Sequence, residues 1–492
     1  MPPAARQERL LLRLVERAAA TRFGRAHGFG RLRGVADFQR AVPLRRYEEF
    51  WREWWQPAFP VLRGATWPDA VPFLALSSGT TSGVTKHIPL TMEMLAANRR
   101  AGQDTLLFHF LARPESRVLG GRSFMLGGST SLEVLAPGIR AGDLSGIAAA
   151  TLPWWAAPLV FPGRDLALLS DWEEKLERMA RASLDMDIRV LTGTPSWLLI
   201  LLERVKALRQ ARGEDPARPY PGMQLLIHGG VSFAPYRQRF LDLLSVPAPD
   251  LREVYAASEG FIAVADRGSG EGMRLCLDHG VFFEFVPVAE LGAAQPTRHW
   301  VATVETGIDY ALVLSSCAGL WSYVIGDTVR LVDRDPPRLL VTGRTSYSLS
   351  AFGEHLIAEE AEGAVLAAAA AIGAAVDDWA MGASFPTASE PRGFHVVVAE
   401  LAGGVPGPDV LARFADVLDR DLAARNADYA AHRAGGTGLL APSLLAVPPG
   451  SFARWMKRRG KLGGQHKVPR LISDPALFAD LLAFMRDAES RG

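Results

Sequence analysis

Apolar side chains recur at helical spacing near the start of the chain. Leu10, Leu11, Leu14 and Val15 share a face, the aromatics Trp51, Trp54 and Trp55 follow, and residues 8–58 read as helical. From residue 71 the pattern changes to short apolar runs that end in small or polar residues. The run 71–76 leads into a Ser/Thr/Gly segment, and 189–192 leads through Pro195 into a leucine-rich stretch. The run 223–228 ends at Gly229 and Gly230, and 253–256 ends at Ser258, Glu259 and Gly260. These last three runs each read as strand, small-residue turn and helix, the order found in open α/β sheets, where ligands bind in loops at strand ends. Between 273 and 343 the runs 273–286, 299–303, 310–315, 328–332 and 338–342 read as short strands, an antiparallel sheet or barrel attached to the α/β body. Beyond Gly343 and Arg344 helical and strand patterns mix again. The expected fold is α/β: a large N-terminal domain, 1–343, of α/β sheets plus a β-rich subdomain, and a smaller α+β C-terminal domain, 344–492.

Composition narrows the function classes. With 54 basic and 53 acidic residues the formal net charge is +1, which gives no global support for binding nucleic acid or an anionic membrane. The longest apolar run, 363–376, is alanine-rich, spans 14 residues and closes at Asp377 and Asp378, so it reads as a packed helix, short of the ~20 residues that cross a bilayer. Residues 6–17 interleave charges with leucines, unlike a signal peptide, and the two cysteines, Cys276 and Cys317, lie in apolar strand-like runs. Both features fit a cytoplasmic protein with buried free thiols. Only six of the basic residues are lysines: Lys86, Lys175, Lys206, Lys457, Lys461 and Lys467. Where arginine supplies generic positive charge, the lysines that remain are enriched at sites needing a compact ammonium.

The densest chemistry is Ser77-Ser78-Gly79-Thr80-Thr81-Ser82-Gly83, with Lys86 three residues further on. Glycines let the backbone approach an anion, hydroxyls and N–H groups donate to phosphate oxygens, and lysine adds charge. The spacing is not that of a Walker loop, in which lysine follows the last glycine directly, and taken alone the segment fits a plain surface loop equally well. Tyr255-Ala256-Ala257-Ser258-Glu259-Gly260 sets a ring, a hydroxyl and a carboxylate on one strand end, suited to stacking on a purine, bonding a phosphate and holding Mg²⁺; a buried tyrosine beside a helix cap is the ordinary alternative. Trp321-Ser322-Tyr323-Val324-Ile325-Gly326-Asp327 ends a strand with an aspartate able to accept two ribose hydroxyls, or with a solvated turn residue. Gly463-Gly464-Gln465-His466-Lys467-Val468-Pro469-Arg470 carries a lysine on a basic segment stiffened by proline.

In chain order these motifs, with Thr21-Arg22-Phe23-Gly24-Arg25, Pro43-Leu44-Arg45-Arg46-Tyr47-Glu48 and Asn426-Ala427-Asp428-Tyr429, resemble the Gretchen Hagen acyl acid amido synthetases of the adenylate-forming superfamily, in a bacterial-type form, over nearly the whole chain. The resemblance implies a ligase that joins a small carboxylic acid to an amino acid or other amine at the expense of ATP, with Mg²⁺, and whose C-terminal domain is a mobile lid. It implies that residues 77–83 and Lys86 hold the β- and γ-phosphates, Tyr255 stacks on adenine, Ser258 and Gly230 line the nucleotide site, and Glu259 holds Mg²⁺. Asp327 would take the ribose, Arg344 would sit at the domain junction, and Lys467 would stabilise the reacting carboxylate and α-phosphate. Val324 stands where the family usually carries arginine, and Ala257 where serine is common. Trp154, Trp155 and the run Phe108-His109-Phe110 are candidate walls for an apolar acyl group, although such clusters are more often core. Two other outcomes share these motifs: acyl transfer to coenzyme A, and a nucleotide-binding protein without turnover. Neither a Gly-x-Ser-x-Gly elbow nor a His-Glu-x-x-His site is present.

Overall fold

The computed structural model describes every residue except 78–85, 128–131, 170–171, 231–232, 234–235, 245–248, 269, 346–355, 386–392, 427–428, 431–432, 434–438, 461–467 and 490–492. The chain forms two compact units, which divide between Val341 and Thr342.

The first unit is a mixed α/β body. Its strands are β1 (Phe73–Ser77), β2 (Lys86–Leu90), β3 (Arg122–Leu126), β4 (Glu133–Ala136), β5 (Ile139–Gly142), β6 (Val160–Phe161), β7 (Ile188–Gly193) and β8 (Leu225–Gly229). They continue as β9 (Asp250–Ala257), β10 (Gly260–Val264), β11 (Met273–Leu275), β12 (Val281–Pro287), β13 (His299–Trp300), β14 (Asp309–Ser316), β15 (Tyr323–Arg334) and β16 (Pro337–Arg344). A small sheet runs β2-β1-β5-β4, and a large one runs β13-β12-β14-β15-β16-β11-β10-β9-β8-β7-β3-β6. In the large sheet β9, β8, β7, β3 and β6 are parallel, so their carboxyl ends form one rim. The helices Trp172–Ser183, Pro195–Ala211 and Arg237–Leu243 cover one face of that half through Leu198, Leu202, Leu226 and Phe240.

One expectation is corrected here. After Ser258, Glu259 and Gly260 the chain enters no helix: it turns back as β10, antiparallel to β9. Pairing with the strand just before it decides what this short apolar run becomes. The strands after residue 273 pair antiparallel, as expected, and join the α/β body as part of the same sheet through β10–β11 and β11–β16 pairing.

The N-terminal helix Pro3–Ala18 buries Leu10, Leu11, Leu14 and Val15, as its spacing requires, and Gln7 bonds to Leu277, Val281 and Phe283. Next comes an aromatic cluster in which Phe23 stacks on Phe50 at 5.8 Å and Phe29 meets Trp321 edge-on at 4.7 Å. That cluster seats the motif 321–327, which opens β15 instead of ending a strand, on the opening helical segment. Cys276 and Cys317 are buried free thiols whose pKa burial pushes well up, so neither is an activated nucleophile.

The second unit is a four-stranded sheet ordered β19-β18-β17-β20: β17 (Val376–Ser384), β18 (Phe394–Leu401), β19 (Ser443–Val447) and β20 (Leu471–Ile472). Helices Ala358–Ala371 and Pro408–Arg425 pack with Trp379, Val397 and Ala399, while Ser451–Arg458 and Pro475–Glu489 pack with Ala380, Val396 and Val398. Both faces are covered, which is why β18 reads as an almost unbroken apolar run. The run 363–376 is not a single helix: the helix ends at Ala371, Gly373 takes φ 69°, and Val376 opens β17. Among the described residues no helix is long and apolar enough to cross a membrane.

Glu400 on β18 accepts the N–H groups of Gly450 and Phe452 at the start of Ser451–Arg458. Burial raises its pKa to about 7 against that help, and Asp378 and Asp377 push it further up. Folded Glu400 therefore keeps a proton that the unfolded chain releases near its ordinary value of 4.5. Its contribution is full below about pH 4.5 and is lost as pH rises through about 7. We expect Glu400→Gln to flatten the pH dependence of urea unfolding across that window, and equal slopes in the two proteins would exclude Glu400 as the titrating group.

Candidate functional site

The glycine- and hydroxyl-rich loop is framed by β1 and β2, which pair antiparallel with Ser77 opposite Lys86. This explains the spacing that is not Walker-like: Lys86 belongs to the return strand instead of to a helix that follows the loop. Its ammonium stands 5.4 Å over the Tyr47 ring, and the Tyr47 hydroxyl accepts the neighbouring His87 N–H at 2.9 Å. Ser78, Gly79, Thr80, Thr81, Ser82 and Gly83 lie outside the described residues.

Tyr47 belongs to the motif Pro43 to Glu48, for which the sequence offered no role. The structure makes it a clasp. Arg45 N–H donates to the Ser322 carbonyl at 3.1 Å and the Arg45 carbonyl accepts from Val324 N–H at 2.9 Å, so a single residue, Arg46, separates the contact with β15 from the contact with β2. The motif 321–327 and Lys86 are thereby tied to one short segment. Arg45 also pairs with Glu53 at 3.2 Å and stands 5.5 Å over Phe23.

Asp327 is presented by an irregular stretch of β15. Against β14, Val324 faces Val313 and Thr328 faces Ala311, so residues 325–327 stand opposite the single residue Leu312. Bulges of this kind redirect side chains, and Gly326, with φ 95°, supplies the turn just before Asp327. The Asp327 carboxylate accepts a 2.5 Å hydrogen bond from the Tyr255 hydroxyl on β9. Two residues chosen separately from sequence thus meet, and the tyrosine ring stands beside the carboxylate expected to take a ribose.

Ser258 and Glu259 occupy the turn between β9 and β10 and are 8% and 7% exposed. Gly230 follows β8 with φ 85°. Two residues earlier lies a histidine that sequence reasoning passed over. His228 is fully buried, stacks on Phe233 at 3.8 Å, and burial lowers its pKa to about 4, so it is a neutral ring at the strand end. Glu253, its register partner on β9, is pushed up by burial in the same way. The adjacency of His228 to Gly229 and Gly230 was the available signal.

The acyl-wall candidates divide. Phe108 and Phe110 pack against buried core, and His109 is bonded to Asp250 at 2.8 Å and Ser116 at 2.7 Å, so this run is structural. Trp154 and Trp155 are 86% and 56% exposed and line no core. Arg344 is the last residue of β16. Lys467 lies outside the described residues, but its flanks are fastened within the second unit. Helix Ser451–Arg458 is held by Glu400 and by Trp455 bonding Asp480 at 2.9 Å. Beyond it Arg470 bonds Asp378 and the Trp379 carbonyl.

No group of three or more His, Cys, Asp or Glu among the described residues could form a metal cage. A buried carboxylate such as Glu259 fits a different need, because Mg²⁺ carried by a nucleotide takes one or two protein carboxylates and fills its shell with phosphates and water.

Models of the GH3 family match three successive segments: the N-terminal domain over residues 1–139, the central domain over 274–344 and the C-terminal domain over 359–476. The indole-3-acetic acid-amido synthetase GH3.8 of Oryza sativa subsp. indica is 29% identical over 255 residues, 48% of this chain and 41% of that protein. The corresponding GH3.3 enzyme of Arabidopsis thaliana is 24% identical over 245 residues, 47% and 41%. The sequence matches therefore span less than half of these two plant proteins. Among solved structures, a GH3.15 acyl acid amido synthetase superposes with a TM-score of 0.80 at 20% identity, covering 98% of this chain and 93% of that one. A 2-hydroxyisobutyryl-CoA ligase gives 0.63 at 17% identity, covering 99% and 93%. These two likenesses establish the fold, the mixed α/β arrangement expected from sequence with a smaller C-terminal unit. With the three family segments in order along one chain of that fold, the protein belongs to the GH3 family.

Proposed function

We propose that the protein adenylates a small carboxylic acid with Mg·ATP and passes the acyl group to an amine, an amino acid in the first instance. In the first step a carboxylate oxygen attacks the α-phosphorus and pyrophosphate leaves. In the second the amine nitrogen attacks the acyl carbon, loses a proton, and AMP leaves. The observation that carries this reading is the Tyr255–Asp327 hydrogen bond at the β15 bulge, linked through Arg45 and Tyr47 to Lys86. A ring, a ribose acceptor and a phosphate cation are thus joined in one unit of a chain whose family works through adenylates.

On this reading Ser77, the loop 78–83 and Lys86 hold the outer phosphates, Gly230 and Ser258 line the nucleotide, and Glu259 meets the metal. The domain assignment, 1–343 for the nucleotide and acyl sites and 344–492 for a lid carrying Arg344 and Lys467, is part of the same proposal. These groups act by position and charge more than by covalent chemistry.

The test is acid-dependent exchange of pyrophosphate into ATP across a panel of carboxylic acids. Active acids are then supplied with amino acids or with coenzyme A, and products are identified by mass spectrometry. Exchange followed by amide formation is the expected result. Thioester formation would move the chain to the CoA-ligase reading, and ATP binding without exchange on any acid would leave only a nucleotide-binding protein.

A further inference from the structure

Among the described residues one non-glycine side chain sits in left-handed backbone: Ser322, with φ 45°. Such a conformation is uncommon outside glycine and persists only where the surroundings over-determine it. Ser322 is fully buried and every polar group it has is engaged. Its N–H donates to Ser315 Oγ at 2.8 Å, and its carbonyl accepts from Arg45 N–H at 3.1 Å. Its hydroxyl donates to Glu284 Oε2 at 3.2 Å and accepts from Arg298 Nη2 at 2.6 Å.

Glu284 and Arg298 form the clamp behind it. Glu284, in the middle of β12, is fully buried and pairs with Arg298 at 2.8 Å. Gln39 donates to Glu284 Oε1 at 2.9 Å, while Arg298 Nη1 donates to the carbonyls of Gln39 at 2.8 Å and Val42 at 2.6 Å. A buried ion pair is weak evidence for stability, since well-packed apolar residues often serve as well. This pair instead determines geometry: it connects β12, the residue before β13 and the 39–45 segment to one strained backbone position.

That position is followed at once by β15. Side chains alternate across a strand, so where the strand begins decides which face each residue takes, and a slip of one residue would turn Asp327 away from Tyr255. We propose that Ser322, held left-handed by Glu284 and Arg298, is a positioning residue for the nucleotide, fixing the register of β15 so that the bulge presents Asp327 to the ribose. The proposal rests on the reading of Asp327 given above.

Two substitutions separate backbone from hydrogen bonding. Ser322→Gly and Ser322→Ala lose the same hydroxyl, but glycine adopts φ 45° freely while alanine does not. ATP affinity by calorimetry and thermal midpoints are compared with those of Asp327→Asn. We expect Ser322→Ala and Asp327→Asn each to weaken ATP about tenfold or more, and Ser322→Gly to stay within about threefold of wild type. If Ser322→Ala does not fold, Arg298→Lys takes its place: it should weaken ATP alone and be rescued by adding Ser322→Gly. Equal weakening by alanine and glycine, absence of rescue, or lowered midpoints with unchanged affinity would overturn the positioning role. Wild-type affinity in Asp327→Asn would overturn the reading of Asp327 itself, and the proposal with it; weakening in Asp327→Asn but not in Ser322→Ala would remove the positioning role alone.

Discussion

Lys467→Ala is expected to slow acyl-adenylate formation by about 10²-fold or more, the scale of losing one positioned charge, while sparing amide formation from supplied acyl adenylate. The argument begins with composition, since lysine is kept at only six positions in this arginine-rich chain. A compact ammonium can sit between a carboxylate and a phosphate, whereas a planar guanidinium pairs side-on with one partner. Lys467→Arg should therefore be nearly as poor as alanine. The flanks make a folding explanation testable, because Arg470 and helix Ser451–Arg458 are fastened by Asp378, Trp379, Asp480 and Glu400. The thermal midpoint of the second unit should stay unchanged. If both half-reactions fell equally, the division of labour between the lid and the nucleotide site would fail; wild-type rates in both would remove Lys467 from the chemistry.

What the sequence made legible followed physical range. The parallel strands β7 and β8 were readable because the run 189–192 gives way to Pro195 and the run 223–228 is closed by Gly229 and Gly230, and the N-terminal helix because Leu10, Leu11, Leu14 and Val15 mark its face. Residues 261–264, Phe-Ile-Ala-Val, were misplaced as helix because a run this short takes its form from pairing with β9 and β11. Tyr255 and Asp327 were each chosen from local motifs, but the bond between them crosses 72 positions and has no local trace. The clamp on Ser322 reaches 38 positions to Glu284 and 24 to Arg298, and it did leave a signal. Glu284 interrupts the run Val281–Pro287, whose neighbours are apolar, and a carboxylate buried there requires a cation and hydrogen bonds. Trp154 and Trp155 stand exposed, and aromatic identity alone says nothing about which surface a ring faces.

Glu259→Gln should be nearly as damaging to pyrophosphate exchange as Glu259→Ala, with a loss of about 10²-fold or more in each. The carboxylate is 7% exposed in the turn between β9 and β10, directly after Ser258 and four residues beyond Tyr255. A carboxylate is costly to bury unless something favours its charge, and Mg²⁺ on the phosphates of ATP would supply that when nucleotide is bound. Glutamine preserves size and one acceptor oxygen but removes the charge, so it isolates the electrostatic contribution from packing. If the metal serves charge development more than docking, metal-free ATP should bind both variants about as well as wild type, and the exchange rate should require more Mg²⁺ to reach half its maximum. Titrating Mg²⁺ at saturating acid and ATP measures that shift directly. A Glu259→Gln protein with wild-type exchange and an unchanged Mg²⁺ midpoint would show that the metal is held elsewhere, by the nucleotide and water or by a residue outside this turn.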